Sequence, residues 1–245
     1  MLYKKRHSLL YIFASFFYFS PIYAENTNNI DLAKDFQNPL SNTTLVPFRN
    51  NLNFGFANKN QPQEFLDIAP RIPIKLHQNI KVVTRPILPI YYQVNTRTQK
   101  GHIFGIGDLN LQFYFAPTDI GTISAGFGPV CSLPTATNSQ LGPRKVSAGP
   151  GIVFAATPSN WVLGFYANNL WSFAGSKNQP RVNIFTLEPF AFYNFSDEWY
   201  LVSLPQYTAV WTLKNTQRWT IPVGGGGGYT FKVKDQFISA LFQTF

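Results

Sequence analysis

Pro47-Phe48-Arg49-Asn50-Asn51-Leu52-Asn53-Phe54-Gly55-Phe56 is the stretch on which the reading of the fold turns. Phe48, Asn50, Leu52, Phe54 and Phe56 share one parity, and Pro47, Arg49, Asn51, Asn53 and Gly55 the other. A strand sends successive side chains to opposite faces, so one face here is mostly apolar and the other polar; a helical period of 3.6 would mix the two sets.

The rule repeats along the chain. Leu66, Ile68, Ile72, Ile74 and Leu76 oppose Asp67, Arg71 and Lys75, and Leu109, Leu111, Phe113 and Phe115 oppose Asp108, Asn110, Gln112 and Tyr114. Further runs at 80–92, 122–133, 146–156, 161–173, 183–195, 199–211, 218–231 and 236–245 bring the total to about eleven, with cleaner alternation before residue 122 than after it. Pro70, Pro86, Pro89 and Pro189 sit awkwardly in such a ladder, because proline cannot donate a hydrogen bond to it.

The connections sort into two classes. Segments 57–64, 93–102, 134–145, 174–182 and 212–217 are long and alternate with short ones at 77–79, 117–121, 157–160, 196–198 and 233–235. Transmembrane barrels have short periplasmic turns and long outer loops, whereas a soluble sandwich has no reason to sort its loops this way. Charge sorts with length. Lys59, Arg97, Lys100, Arg144, Lys145, Lys177, Arg181 and Lys214 fall in the long segments with Glu64, while Asp119, Asp197, Glu198 and Asp235 fall in the short ones with Lys234. Basic outer loops would meet the phosphates of lipopolysaccharide through charge-assisted hydrogen bonds; general solubility explains them equally well.

The N-terminus carries Lys4, Lys5 and Arg6, then an apolar run over 9–19, then Pro21-Ile22-Tyr23-Ala24. This is the pattern of a secretory leader, with cleavage expected after Ala24. The run is shorter than the roughly 20 apolar residues a membrane helix needs. The expected organisation is a leader at 1–24, a periplasmic segment with a short helix at 25–44, and an all-β antiparallel transmembrane barrel at 45–245. Composition agrees: aromatics make up 17% of residues and charged residues only 13%, against about 25% in soluble proteins. The formal charge of +9 would suit nucleic acid, but Lys4, Lys5 and Arg6 leave with the leader and an exported protein does not meet that partner. Expected partners are instead outer-membrane lipid, lipopolysaccharide, the barrel assembly machinery and a small solute.

Several stretches resemble a family of bacterial outer-membrane barrels labelled as transporters, sometimes under the name neuromedin U, and related to the barrels of the phenol-degradation meta-pathway. They are Asp31-Leu32-Ala33-Lys34 with Asn38-Pro39, Val46-Pro47-Phe48-Arg49-Asn50-Asn51, Gly105-Ile106-Gly107-Asp108, Gly126-Phe127-Gly128-Pro129, Leu133-Pro134-Thr135-Ala136-Thr137 and Trp171-Ser172-Phe173-Ala174-Gly175. The resemblance implies about twelve strands and a helix over 31–40, and through the phenol-pathway relatives a hydrophobic or aromatic cargo. Family members continue past the position of Phe245 into a further strand. A single-chain bacterial barrel also needs an even strand count, so eleven runs of an expected twelve point to a shortened copy whose closure is compromised. Alternatively Phe245 is a terminal aromatic insertion signal, although Gln243 stands where such a signal carries an apolar residue.

Function would reside on the inward parity: Arg49, Asn51, Asn53, Asp67, Arg71, Lys75, Lys81, Arg85, Asp108, Asn110, Gln112 and Glu188. These residues line a polar pathway, or pair across a narrow lumen and plug it, since charges facing a small interior must be paired; the two are compatible. A channel is one reading, and a structural or adhesion barrel with a closed lumen is the other. No enzyme is expected, because His77 and His102 fall at opposite ends of the barrel. No cofactor or metal is expected: Cys131 is the only cysteine and lies on the lipid-side parity, and the five glycines at 224–228 lack the Lys-Ser/Thr of a phosphate loop. Those glycines are expected to mark a kink or a close approach of another element. Trp161, Trp171, Trp199, Trp211 and Trp219 fall near strand ends, where aromatic belts would put them.

Overall fold

The structure, a computed structural model, describes residues 11–19, 29–56, 61–98, 100–196, 198–233 and 236–245. The leader's basic residues and expected cleavage site, Lys59, Asp197, Lys234 and Asp235 lie outside them. Strand β1 (Tyr11–Phe19) precedes the helix α1 (Asn29–Gln37). Then follow β2 (Leu45–Phe56), β3 (Gln61–Ile68), β4 (Ile72–Lys75), β5 (Ile80–Val94), β6 (His102–Ile106), β7 (Leu109–Pro117), β8 (Ile123–Leu133), β9 (Lys145–Ala156) and β10 (Trp161–Gly175). The chain ends with β11 (Asn183–Asn194), β12 (Trp199–Ser203), β13 (Tyr207–Val210), β14 (Trp219–Thr220), β15 (Gly225–Val233) and β16 (Gln236–Thr244).

Among the described residues, fifteen strands therefore follow the helix. They exceed the expected eleven runs because four runs are each interrupted once. The breaks fall at Ala69-Pro70, Gly107-Asp108, 204–206 and 221–224. Three of them contain a proline, which removes a ladder donor. Pro86, Pro89 and Pro189 nevertheless lie inside strands. Both halves of an interrupted run can keep one neighbour: β3 and β4 pair with β5, and β12 and β13 pair with β11.

All pairings are antiparallel and follow chain order, from β2 through β10 and on to β16. The sheet from β2 to β16 does not close on itself, because β2 and β16 do not pair with each other. They stand one strand apart, and β1 lies between them. Its ladder with β2 runs from Tyr11 opposite Asn53 to Phe19 opposite Leu45, and its ladder with β16 from Ile12 opposite Thr244 to Tyr18 opposite Ile238. The apolar run expected to leave with the leader is thus paired on both sides.

The alternation read from the sequence holds on both faces. On β8, Phe127 is 70% exposed outward while Val130, inward, is fully buried. The outward set includes Ile74, Ile123, Ile152, Leu201 and Phe242, all exposed. Inward, Val83, Tyr114, Ala116 and Val153 cluster around Leu40, and Val162, Phe190, Phe192, Tyr200 and Leu241 form a second cluster. The tryptophans divide between the two ends. Trp161 on Tyr193 and Trp199 on Tyr229, each with centroids 4.7 Å apart, flank short turns, and Trp211 meets Trp219 edge-on at 5.8 Å at the long-loop end. The 224–228 glycines run into β15, and at Gly228 the ring of Tyr200 occupies the space a Cβ would need, so close approach is their role there.

Candidate functional site

Helix α1, in the N-terminal segment ahead of β2, ends at Gln37, before Asn38-Pro39, and packs against the inward face. Proline cannot extend a helix and disfavours helical geometry at the residue before it. The terminal carbonyls of a helix lack intrahelical partners, and here Arg71 supplies them. Its guanidinium donates to the carbonyls of Phe36 (3.2 Å), Asp35 (3.5 Å), Thr43 (3.3 Å) and Asn38, and to Ser41 Oγ (2.7 Å). A cation at a helix C-terminus also meets the negative end of the helix dipole. The side-chain amides of Gln37 and Asn194 exchange hydrogen bonds of 2.8 and 2.9 Å, and Lys81 Nζ donates to Asn42 Oδ1 (2.6 Å) and the Thr118 carbonyl (3.3 Å). The 29–43 segment is therefore seated inside the curved sheet by the wall itself.

Beyond the helix lies a layer of charge. Arg85 Nη2 meets Glu188 Oε2 at 3.0 Å, Arg85 Nη1 donates to Gln112 Oε1 at 3.1 Å, and the guanidinium lies 4.5 Å from the Tyr166 ring centroid. Gln112 also accepts from the Tyr114 hydroxyl (3.1 Å) and donates to Asn110 Oδ1 (3.0 Å). Arg49 meets Asp67 at 3.5 Å. Next comes an amide chain in which Asn53 donates to Gln63 (3.0 Å), Gln63 to Gln93 (2.6 Å) and Gln93 to the Gln140 carbonyl (3.3 Å). Asn51 donates to the carbonyls of Arg49 and Phe65.

Ten of the twelve inward candidates thus meet inside: Arg49, Asn51, Asn53, Asp67, Arg71, Lys81, Arg85, Asn110, Gln112 and Glu188. Two do not. Lys75 is exposed at the end of β4, where the sheet has run past the interior. Asp108 sits in the break between β6 and β7, and its carboxylate accepts from the backbone N–H groups of Ala136 and Arg144, both at 2.8 Å, so it ties down the 134–144 loop instead of facing the pathway. Glu64, expected in a long loop, is in β3 and accepts from Asn50 (3.0 Å). Tyr166, Phe190, Phe192, Gln63 and Gln93 were not singled out. Phe190 and Phe192 share the parity of Glu188, a signal the sequence carries, and Tyr166 stands directly opposite Glu188 in the ladder.

A cavity of about 140 Å³ lies between α1 and the wall. Phe36, Phe190 and Phe192 supply apolar surface; Arg49, Arg71, Arg85, Tyr166 and Glu188 supply polar groups, joined by Gln37, Thr230 and Ser239. At the long-loop end Arg97, Lys100, Arg144, Lys177 and Arg181 are exposed, and Lys145 begins β9, half-buried. Arg97 Nη2 donates to Ser139 Oγ (2.8 Å) and Gln179 to the Ser139 carbonyl (3.3 Å), so three of these loops touch. His102 stacks on Tyr92 at this end, and His77 lies in a turn at the other. Among the described residues no cluster of three His, Cys, Asp or Glu side chains could hold a metal, and no helix is long and apolar enough to cross a membrane. Comparison with family models, curated proteins and solved structures gives no match for this chain.

Proposed function

We propose that the chain is a β-barrel of the bacterial outer membrane, exported by its leader, that serves as a passive route for small molecules through an interior narrowed by α1. One observation carries the reading: the parity of the strands keeps an outward face of large exposed apolar side chains around the sheet, while the inward face buries paired polar groups beside apolar clusters that meet the helix segment. A soluble protein rarely leaves so much contiguous apolar surface uncovered, and in hydrocarbon only helices and closed barrels satisfy their backbone. Cleavage after Ala24 would take β1 with it and expose the facing edges of β2 and β16, each unpaired group costing several kcal/mol in lipid. The occupant of that seam governs closure.

The test is migration of outer-membrane protein on gels before and after boiling, followed by conductance in planar bilayers. A heat-dependent shift with single-channel steps supports the route; a soluble periplasmic product with no shift overturns the barrel. The contacts of Arg71 and the Ser139 link between loops favour a second reading, a closed barrel whose basic loops face lipopolysaccharide. A shift without conductance selects it.

A further inference from the structure

We propose that the cavity between α1 and the wall binds a small monocarboxylate with a body of one ring or a short hydrocarbon chain, its head group held by Arg49. This names the solute class of the proposed route and rests on that reading. Size sets the body, because about 140 Å³ is close to the ~150 Å³ of an apolar cavity that admits benzene. Phe36 of the helix and Phe190 and Phe192 of β11 give that body aromatic surface.

The unspent polar groups set the head. Three guanidinium groups line the cavity against one carboxylate, Glu188, with Asp67 behind Arg49. Arg71 is committed to the helix end and Arg85 to Gln112, Glu188 and the Tyr166 ring. Arg49 has one ion-pair contact among the described residues, Asp67 at 3.5 Å, and faces Glu188 and Tyr166 at longer range. The Asp67 contact is longer than the ~2.7–2.9 Å of a charge-assisted hydrogen bond, and a guanidinium carries five N–H donors. The Tyr166 hydroxyl, in the same cavity, makes no hydrogen bond with the described residues. Asp35 answers the charge of Arg71 from outside the cavity, so what remains open is guanidinium and hydroxyl donors on a lining with three guanidinium groups and one carboxylate. A carboxylate satisfies both; an alcohol answers only the hydrogen bonds, and an ammonium is repelled.

The experiment is calorimetric titration of the detergent-extracted full chain with benzoate, benzyl alcohol and benzylamine. Benzoate is expected to bind at least tenfold more tightly than benzyl alcohol, and benzylamine not at all. Arg49→Gln is expected to weaken benzoate by about ten- to a hundredfold and leave benzyl alcohol unchanged. Should Arg49→Gln fail to assemble, Tyr166→Phe, which keeps the ring under Arg85, should still weaken benzoate several-fold. Equal affinity for benzoate and benzyl alcohol, or benzoate binding unchanged in both variants, overturns the proposal. A chain that shifts on heating but binds no benzoate refutes the site alone, whereas a chain that does not shift refutes the barrel reading with it.

Discussion

Replacing Arg71 with alanine removes the one side chain that reaches five acceptors at the end of α1. Hydrogen bonds to a charged group contribute about 1.5–3 kcal/mol each. They do not sum here, because the buried guanidinium also carries its own desolvation cost and water can reach some of the freed carbonyls. Breaking a buried charged network at one partner costs about 3–5 kcal/mol, which is about two to three and a half powers of ten in the equilibrium for unseating the helix. The reciprocal Gln37–Asn194 bonds, near 1 kcal/mol each, are too weak to hold it alone. Amide hydrogen exchange over 29–43 is therefore expected to accelerate by at least a hundredfold in Arg71→Ala, with protection of β8, β9 and β10 unchanged and conductance raised. Arg71→Lys, a point charge without the planar fork, should fall between. Unchanged exchange over 29–43, or an equal loss across the whole sheet, would refute the assignment of Arg71 to the helix seat.

Other perturbations follow from the same contacts. Glu188→Ala leaves Arg85 buried without its partner and should cost about 3–5 kcal/mol, read as a lower temperature for the gel shift; Glu188→Leu with Arg85→Met should recover most of it, and a double variant weaker than the single would contradict the pairing. Asp108→Ala frees the N–H groups of Ala136 and Arg144, so trypsin should cut faster at Arg144 and Lys145 on intact cells while the gel shift is unchanged; unaltered cutting would show the loop is held by other means. Refolded into detergent micelles, the full 27.7 kDa chain should keep the heat-shifted form to a higher temperature than a chain starting at Glu25, because only the former carries β1 between β2 and β16. An identical shift for both would mean that β2 and β16 find another way to close.

The two-faced strands were legible because parity needs no knowledge of what each face meets. Four run breaks were less so, since Pro70 and Pro222 interrupt strands while Pro86 and Pro89 do not, and the difference lies in the neighbouring ladders. Alternation weakens after residue 122 for a reason found only in three dimensions. There the inward face carries Val153 and Val162 in place of charges, because it covers the helix segment and its apolar neighbours instead of water. Arg71 was recognisable as inward, but not as the cap of a helix that folds back inside. Asp108 has the right parity and the wrong position: one residue beyond a strand end, a carboxylate meets loop amides before it meets the lumen.

The seam between β2 and β16 sets a clock on assembly. Every other ladder joins strands that are neighbours along the chain or are separated by no more than two short strands, as β12 and β15 are, and can form as soon as both have been delivered. While β1 is retained, the seam joins Tyr11–Phe19 at the beginning to Gln236–Thr244 at the end, so its rungs wait for the last strand and close the longest loop in the molecule, an entropic cost that grows with the logarithm of loop length. Until then two bare edges stand open to any extended chain that drifts past. The protein's most hazardous interval is thus the one just before completion, and whatever shields those edges during that interval decides how many copies finish.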